Sequence, residues 1–371
     1  MARMLMKGNE AIAEAAIRAG LQAYFGYPIT PQTEILEWMS QRMPALGRVF
    51  LQAESELGAI NMVYGAACTG MRVMSTSSSP GVSLMAEGLS FIAGTEIPVV
   101  LVDVMRGGPG LGNIAPSQAD YNQIVHGHGH GDYYPIVLAP SSVQEAIDMT
   151  YQAFELAEKY RAIVIVLADG SIGQLMEPAE LPPMRPIENN YPDWSVSGAM
   201  GREPRKLTSI YLESRELEIL NIRLLKRYEE IREKEVRYRE YYLDDARFAV
   251  ISFGSVGRIA LSAVRKARQL GIPVGLLRPI SLNPFPEKEI EELAQKVDGI
   301  LVVEMNSGQM LEDVIKTSHE VTRIDFYGRM GGMVPFTEEI LGAIKNMLHP
   351  VEHMEIHPRH RWFEYISSIA G

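Results

Sequence analysis

Two glutamates lie where an apolar segment gives way to a stretch of small residues. Residues 49–51 are apolar and predict a buried strand, and Glu54 and Glu56 follow soon after it. Residues 57–67 are rich in glycine and alanine and predict a helix. Open α/β sheets bind ligands where a strand meets a helix in this way, and the positive end of the helix dipole favours an ionised glutamate there. The pattern therefore indicates a carboxylate aimed at a cleft. The alternative is that both glutamates only stabilise the first helical turn.

Thr30 and Arg106 are two further polar residues that follow apolar segments. Thr30 lies in a turn with two prolines, residues 26–31, and Arg106 follows the strongly apolar segment 98–105. A guanidinium can hold a carboxylate through paired charge-assisted hydrogen bonds, and a hydroxyl can donate to a carboxylate or keto oxygen. Taken alone, Thr30 or Thr33 could instead cap the next helix, and Arg106 could form a surface ion pair.

The remaining chemistry-bearing residues predict neither a metal site nor a cluster on this chain. The glycine-rich run 107–112 lacks the Lys and Ser/Thr of a phosphate-binding loop, so we interpret it as a loop over the cleft. His126, His128 and His130 alternate with glycines, and neutral loop histidines explain them better than a metal site does. The single cysteine, Cys68, can hold neither an iron–sulfur cluster nor an intrachain disulfide. Any cluster used by this protein must lie on another chain.

The first half of the chain alternates helical and apolar-strand patterns, which is typical of a mostly parallel sheet with helices on both faces. Besides 49–51 and the helix after it, the predicted strands are 21–25, 72–76, 98–105, 135–138 and 162–167, and the predicted helices are 9–19, 32–43, 82–93 and 142–160. We place this unit at 1–185, a linker with a long charged helix at 186–247, and a second α/β unit at 248–371. The predicted fold class is α/β, with two doubly wound domains.

Composition excludes several functional classes. The chain has 371 residues, is 46% hydrophobic and carries a net charge of −11, which argues against a nucleic-acid surface. No apolar run reaches the roughly 18–20 residues that a membrane helix needs, and the N-terminus lacks the apolar core of a signal peptide. We therefore expect a cytoplasmic protein that binds neither membrane nor nucleic acid.

Several motifs, in order along the chain, resemble one known family. In the first unit they are Gly26-Tyr-Pro-Ile-Thr-Pro31, Gln52-Ala-Glu-Ser-Glu-Leu-Gly58, Ser77-Ser-Ser-Pro-Gly81, Val104-Met-Arg-Gly-Gly-Pro109 and His130-Gly-Asp132. In the second unit they are Arg278-Pro-Ile-Ser-Leu-Asn-Pro284, Glu304-Met-Asn-Ser-Gly-Gln309 and Gly328-Arg-Met-Gly-Gly332. The chain resembles the subunit of thiamine-diphosphate-dependent 2-oxoacid:ferredoxin oxidoreductases that carries the pyrimidine-binding domain. Three stretches look closest to the 2-oxoisovalerate (branched-chain) type, with the 2-oxoglutarate type as the near neighbour: Gln52-Ala-Glu-Ser-Glu56, Gly107-Gly-Pro-Gly-Leu-Gly112 and Pro116-Ser-Gln-Ala-Asp120.

The resemblance implies a fold and roles for particular residues. The fold would be a thiamine-diphosphate pyrimidine-binding domain followed by a transketolase C-terminal-like domain. Glu56 would contact N1′ of the aminopyrimidine and favour the imino tautomer whose nitrogen takes the C2 proton, and Glu54 is the lesser candidate. Thr30 and Arg106 match the family positions that meet the 2-oxoacid. The implied catalytic residues are Glu56, Arg106 and Thr30, and the implied cofactor-binding residues are Glu56, Pro28, Ile29 and Gly58.

The family's Gly-Asp-Gly motif for the diphosphate and Mg²⁺ is missing, because residues 168–170 read Ala-Asp-Gly and lack its downstream partner. The resemblance therefore implies a diphosphate-binding β-type partner chain with Mg²⁺, a γ-type subunit, and a ferredoxin-like subunit with [4Fe–4S] clusters. The implied reaction converts a 2-oxoacid, coenzyme A and oxidised ferredoxin to acyl-coenzyme A, CO₂ and reduced ferredoxin. The alternatives are 2-oxoglutarate or pyruvate as substrate, a non-catalytic scaffold subunit, and a thiamine-dependent transferase or decarboxylase without electron transfer.

Overall fold

A computed structural model describes residues 3–187, 191–318, 321–350 and 356–370. The strands, in chain order, are β1 (Met4–Lys7), β2 (Ala23–Gly26), β3 (Val49–Gln52), β4 (Val73–Ser77), β5 (Val99–Met105), β6 (Ile136–Leu138), β7 (Ile163–Asp169), β8 (Met176–Ala179), β9 (Tyr238–Tyr241), β10 (Phe248–Ile251), β11 (Val274–Pro279), β12 (Ser281–Asn283), β13 (Gly299–Glu304) and β14 (Arg323–Gly328). The helices are α1 (Gly8–Arg18), α2 (Thr33–Ala45), α3 (Glu56–Cys68), α4 (Pro80–Thr95), α5 (Val143–Tyr160), α6 (Gly170–Gln174), α7 (Ser214–Lys234), α8 (Gly254–Gln269), α9 (Glu287–Ala294), α10 (Gln309–Ser318), α11 (Thr337–Asn346) and α12 (Pro358–Ala370), and a π-helical turn covers Gln123–Gly127.

The first half of the chain forms a seven-stranded sheet in the order β12-β6-β7-β5-β4-β2-β3. All its pairs are parallel except that of β12 with β6. The central strands β5 and β7 are buried along their whole length, because near-continuous runs of valine, isoleucine and leucine suit strands covered on both faces. One face packs against α1, α2 and α5, and the other packs against α3 and α4. This is the doubly wound arrangement that the alternating pattern predicts.

The second half forms a five-stranded sheet in the order β14-β13-β10-β11-β9. Its strands are parallel apart from β9, which pairs antiparallel with β11. Helix α8 packs with α11, and α9 packs with α10. The linker region 186–247 contains the long helix α7 and the strand β9. Because β9 pairs with β11, it belongs to the sheet of the second unit.

Buried polar contacts join the two sheets. Strand β12 follows β11 in sequence but pairs with β6 of the first sheet. Beside it the guanidinium of Arg278, 2% exposed, donates to both carboxylate oxygens of Glu145 at 3.0 and 2.6 Å. The carboxylate of Asp169 also accepts a hydrogen bond from the N–H of Ser255 at 3.1 Å. The two units therefore share an interface that holds the first sheet against α8 and β11.

Three local predictions need correction. Residues 49–52 do form a strand, but β3 is not buried, since it is the edge strand and leaves Val49 and Leu51 44% and 41% exposed. The first unit was expected to have about six strands. Its sheet has seven because β12 crosses over, and the distant segments β1 and β8 form a separate antiparallel ribbon.

Neither Thr30 nor Thr33 caps α2, because the N-cap residue is Gln32 and no side chain supplies the cap. Thr33 is the first residue of the helix itself, and Thr30 precedes the cap. None of the helices in the described ranges combines the length and apolarity needed to cross a membrane.

Candidate functional site

The carboxyl ends of β2, β3, β4 and β5 lie at one edge of the larger sheet, because these neighbouring strands are parallel. The segments after them carry Thr30, Glu54 with Glu56, Ser79 and Arg106, in that order. Open α/β sheets bind their ligands at this edge. The topology therefore brings together side chains that are up to 76 positions apart in sequence.

Glu56 is the first residue of α3, and only 5% of its surface is exposed. The hydroxyl of Ser55 caps the helix by accepting from the N–H of Gly58 at 3.1 Å, which fixes the turn that directs Glu56. The hydroxyl of Ser77 donates to Glu56 Oε1 at 3.4 Å. A Cβ atom on Gly81 would overlap both this hydroxyl and the Glu56 carboxylate. Glycine at position 81 thus lets the buried carboxylate lie directly against the backbone of α4.

Glu54 has a different environment. It is exposed, and its carboxylate lies against Cα of Gly58 in the first turn of α3. The helix dipole favours negative charge at this position. Of the two glutamates, Glu56 is the one buried beside Ser77. Glu54 lies where it can stabilise the first turn of α3, which was the alternative considered for both residues.

Arg106 follows β5 and contacts the loop that contains Thr30. Its Nη1 donates to the carbonyl oxygen of Thr30 at 2.8 Å, and its Nη2 donates to that of Leu111 at 3.2 Å. Arg106 is 7% exposed, and its buried Nε has no hydrogen-bond partner. Thr30 is exposed, and Pro28 and Ile29 are half-buried in the same loop. The structure therefore brings Thr30 and Arg106 together, through the backbone oxygen of Thr30 rather than its hydroxyl.

Ser79, Asp103 and Asp120 form a buried polar group next to Arg106. The hydroxyl of Ser79 donates to Asp120 Oδ2 at 2.5 Å and accepts from the backbone N–H of Arg106 at 3.0 Å. The N–H of Ser79 donates to Asp103 Oδ1 at 3.2 Å. Burial raises the pKa of both carboxyl groups, and the charge of Asp120 raises the pKa of Asp103 further. Ser79 and Asp120 lie within motifs of the sequence, but no role was predicted for any of the three residues.

A cavity of about 670 Å³ opens between the two units at this edge. Its walls include Ser79, Asp120, Gly107, Asn306, Gln309 and Met330. The glycine-rich run borders it, as expected of a loop over the cleft. Glu56 does not line the cavity, but its carboxylate faces Gly81 in the first turn of α4, whose N-cap residue Ser79 does.

Comparisons with known proteins identify the family. Residues 14–206 match the family described as pyruvate flavodoxin/ferredoxin oxidoreductase, thiamine diphosphate-binding, and residues 246–340 match core domain II of pyruvate:ferredoxin oxidoreductase. The chain is 52% identical to the ketoisovalerate oxidoreductase subunit VorB of Methanothermobacter marburgensis, over 94% of this chain and 98% of that protein. The chain belongs to the 2-oxoacid:ferredoxin oxidoreductase family. Its members are oxidoreductase subunits, so the predicted enzyme class is confirmed.

Two further relatives come from the 2-oxoglutarate branch of this family. The 2-oxoglutarate synthase subunit KorA of the same organism is 38% identical, over 92% of this chain and 98% of that protein. The solved 2-oxoglutarate:ferredoxin oxidoreductase of Magnetococcus marinus, with 2-oxoglutarate, coenzyme A and succinyl-CoA bound, superposes with a TM-score of 0.85 at 27% identity. The match covers 94% of this chain and 65% of that one, so this chain spans about two thirds of its length. The predicted fold class and family are confirmed.

Two of the three histidines in residues 126–130, His126 and His128, have pKa values that the surrounding protein shifts. His126 Nε2 lies 2.8 Å from Asp313 Oδ2, and this hydrogen bond raises the pKa of His126. Burial lowers the pKa of His128 to about 4, so its ring is neutral at pH 7. Within the described ranges, no three His, Cys, Asp or Glu side chains are grouped so as to hold a metal ion.

Proposed function

We propose that this chain is the pyrimidine-binding subunit of an enzyme that oxidatively decarboxylates 2-oxoisovalerate and related branched-chain 2-oxoacids. The products are the acyl-coenzyme A, CO₂ and reduced ferredoxin. The observation that carries the proposal is the pairing of Arg106 with Thr30 at the sheet edge that also holds the buried Glu56. The higher identity to a ketoisovalerate oxidoreductase subunit than to a 2-oxoglutarate synthase subunit, 52% against 38%, supports the branched-chain substrate.

Glu56 is proposed to hold a proton at N1′ of the aminopyrimidine of thiamine diphosphate. The burial of its carboxylate against Gly81 supports this role, since a Cβ at position 81 would displace the carboxylate from this place. Pro28, Ile29 and Gly58 are proposed to contact the same ring. When bound, the cofactor supplies the electron sink that decarboxylation of a 2-oxoacid requires. The part of this chain is to orient the ring and to set its tautomer through Glu56.

Arg106 is proposed to bind the carboxylate of the 2-oxoacid, with the hydroxyl of Thr30 donating to a carboxylate or keto oxygen. A guanidinium has five N–H donors, and two of those of Arg106 already bind backbone carbonyls. These two bonds orient the group before substrate arrives, which lowers the entropic cost of binding. The remaining donors suit a carboxylate because it accepts two parallel hydrogen bonds.

A β-type partner chain is proposed to bring the diphosphate and its Mg²⁺. The surface around Glu56 supports this, because four apolar side chains are exposed there or on the adjoining strand and helix. They are Val49, Leu51, Leu57 and Leu84, each between 41% and 54% exposed. Exposed apolar residues on neighbouring elements are a feature of protein interfaces. A γ-type subunit and a ferredoxin-like subunit with [4Fe–4S] clusters complete the proposed cytoplasmic complex. Within this chain we propose domains at 1–185 and 248–371, joined by 186–247.

The second candidate substrate is 2-oxoglutarate. The 38% identity to KorA and the structural match to an enzyme with bound 2-oxoglutarate support it. A dicarboxylate needs a second cation in the pocket, whereas a branched acid needs an apolar wall.

The test is anaerobic purification of the complex through a tag on this chain, followed by assays of viologen reduction. Each of 2-oxoisovalerate, 2-oxoglutarate and pyruvate is supplied with and without coenzyme A. We expect coenzyme A-dependent reduction with the highest kcat/KM for 2-oxoisovalerate. A higher kcat/KM for 2-oxoglutarate would move the proposal to the second candidate. A complex without clusters or thiamine diphosphate and without reduction of viologen would indicate a scaffold subunit. Thiamine-dependent turnover without clusters would indicate a transferase or decarboxylase.

A further inference from the structure

Ser79 connects a buried carboxylate to the backbone of Arg106. Its hydroxyl donates to Asp120 Oδ2 at 2.5 Å and accepts from the N–H of Arg106 at 3.0 Å. Ser79 Oγ therefore binds both the carboxylate of Asp120 and the backbone N–H of Arg106. Ser79 and Asp120 both line the cavity between the two units.

The backbone of Ser79 is held in a conformation that serine seldom adopts. Its φ is +36°, in the half of conformational space where non-glycine residues are uncommon. Such a conformation persists only where the surroundings enforce it, and it is frequent at functional sites. Here the N–H of Ser79 donates to Asp103 at 3.2 Å, and its carbonyl accepts from Gln123 Nε2 at 3.4 Å. These contacts turn the hydroxyl of Ser79 towards Asp120.

The guanidinium of Arg106 binds two neutral carbonyl oxygens, although a carboxylate is near. The charge of Arg106 acts on Asp120 and opposes the rise in its pKa, yet the hydrogen bonds found for the guanidinium go to Thr30 and Leu111 and not to Asp120. Both residues are 7% exposed, so an ion pair between them would be poorly screened by solvent. If Asp120 were free to turn, it would compete with any incoming carboxylate for Arg106.

We propose that Ser79 is a positioning residue whose hydroxyl keeps the Asp120 carboxylate away from Arg106, so that the guanidinium stays open to the carboxylate of the substrate. This inference rests on the proposed function insofar as Arg106 is the substrate-binding cation. It assigns a role to Ser77-Ser-Ser-Pro-Gly81 that is separate from contact with the cofactor. It also explains why the carboxylate of Asp120 can bind the same hydroxyl as the backbone of Arg106 without forming an ion pair with the guanidinium.

The test compares Ser79→Ala, Asp120→Asn and the double variant in the purified complex. Ser79→Ala removes the hydroxyl that binds Asp120 Oδ2 and leaves that carboxyl group only its contact with Asp103. We expect the KM for the 2-oxoacid to rise about tenfold or more while kcat stays within about threefold. Asp120→Asn retains an acceptor for Ser79 and removes the charge, so its KM should stay within about threefold of wild type. In the double variant the neutral amide cannot pair with Arg106, and the KM should return to within about threefold of wild type.

Two further variants distinguish the effect of freeing Asp120 from a general loss of structure. Ser79→Gly also lacks the hydroxyl but relieves the backbone strain, and it should raise the KM as Ser79→Ala does. Ser262→Ala removes a hydroxyl that donates to the carbonyl of Arg258 in its own helix α8, and it should leave the KM and kcat unchanged. The proposal is overturned if the double variant is as impaired as Ser79→Ala, or if Asp120→Asn alone raises the KM equally.

Binding of isovalerate, a carboxylate without the keto group, supplies a readout that needs no turnover. Calorimetric titration of the complex should give a dissociation constant about tenfold weaker for Ser79→Ala and close to wild type for the double variant. If wild type reduces no acceptor with any 2-oxoacid, the proposed function fails, and this titration still decides the role of Ser79. Equal affinities in wild type and Ser79→Ala would refute that role even in an active enzyme.

Discussion

Gln118 and Met305 bind each other twice across the interface between the two units. The N–H of Gln118 donates to the carbonyl of Met305 at 3.1 Å, and the N–H of Met305 donates to Gln118 Oε1 at 3.0 Å. The side-chain amide of Gln118 also donates to the carbonyl of Phe253 at 3.0 Å. Gln118 lies two residues before Asp120 in the segment that follows Arg106. The second unit therefore fixes the loop that carries candidate site residues of the first.

Gln118→Ala should destabilise the protein by about 2–4 kcal/mol. The substitution leaves the buried N–H of Met305 without its partner, which costs roughly 1–3 kcal/mol. It also removes the hydrogen bond to the carbonyl of Phe253, worth about 1 kcal/mol, although that carbonyl still accepts from the N–H of Gly257. Denaturant unfolding of wild type and variant measures the difference. Gln41→Ala, on an exposed position of α2, should stay within about 0.5 kcal/mol. Equal effects of the two substitutions would show that the contacts of Gln118 contribute nothing to stability.

Glu56→Gln should lower kcat for viologen reduction by about 10²–10⁴-fold. The amide has the shape of the carboxylate but cannot hold a proton at a ring nitrogen, and positioned acid–base groups contribute rate factors of this size. Glu54→Gln is the matched control, because it removes an exposed carboxylate two residues away and should change kcat by less than about threefold. If Glu54→Gln proves the more damaging, the assignment of the two glutamates is reversed.

Arg106→Lys should raise the KM for the 2-oxoacid by about 10–100-fold. Lysine keeps the charge but cannot donate to Thr30, Leu111 and a substrate carboxylate from one planar group. Steady-state kinetics with 2-oxoisovalerate measure the change. Arg247→Lys, in an exposed pair with Asp298, is the control and should leave the KM unchanged. A KM for Arg106→Lys close to that of wild type would contradict bidentate binding of the carboxylate.

The sequence predicted the parallel core of the first unit well, because its strands are marked by local apolar runs. It did not predict β12 or the ribbon of β1 with β8, since these pairings join segments far apart in the chain. The exposure of β3 was also missed. An apolar run predicts a strand, but only the strand order shows that β3 lies at the edge.

The roles of Glu56 and Arg106 were predicted from the resemblance of their motifs to a family, because residue type alone left a helix-stabilising glutamate and a surface ion pair as alternatives. The structure adds that Arg106 contacts Thr30 through its backbone. The contact between Ser79 and Asp120 was not predicted, because it is a hydrogen bond between residues 41 positions apart. Neither serine nor aspartate is unusual in a loop, so local pattern carries no signal for such a pair.

Gly81→Ala should impair the enzyme far more than its single methyl group suggests. The new Cβ would overlap the Ser77 hydroxyl and the Glu56 carboxylate, so either Glu56 or the first turn of α4 must move. We expect a loss of at least tenfold in kcat or a loss of about 1–3 kcal/mol in stability. Gly342→Ala, in α11, is the matched control because its Cβ meets open space, and it should stabilise the protein by up to about 1 kcal/mol. Full activity and stability of Gly81→Ala would show that the site has more room than the structure indicates.

Glu304→Gln should weaken the pH dependence of stability between pH 5 and 8. Burial raises the pKa of Glu304 to about 7, although the N–H groups of Met310 and Leu311 and the amide of Asn306 partly stabilise its charge. The folded protein thus binds this proton more tightly than the unfolded chain does. Its contribution is fully present below the ordinary glutamate pKa of 4.5 and is lost as the pH rises through about 7. A shift from 4.5 to about 7 corresponds to about 3 kcal/mol at most.

Unfolding free energies of wild type and Glu304→Gln, measured in steps between pH 5 and 8, test this linkage. The decline should be shallower in the variant but not absent, because burial also raises the pKa values of Asp103 and Asp169, and these groups act in the same direction. Glu292→Gln, at an exposed position of α9, should retain the full decline of wild type. Parallel curves for wild type and Glu304→Gln would mean that Glu304 is ionised throughout this range. In that case the hydrogen bonds at the start of α10 would outweigh the cost of burying the charge.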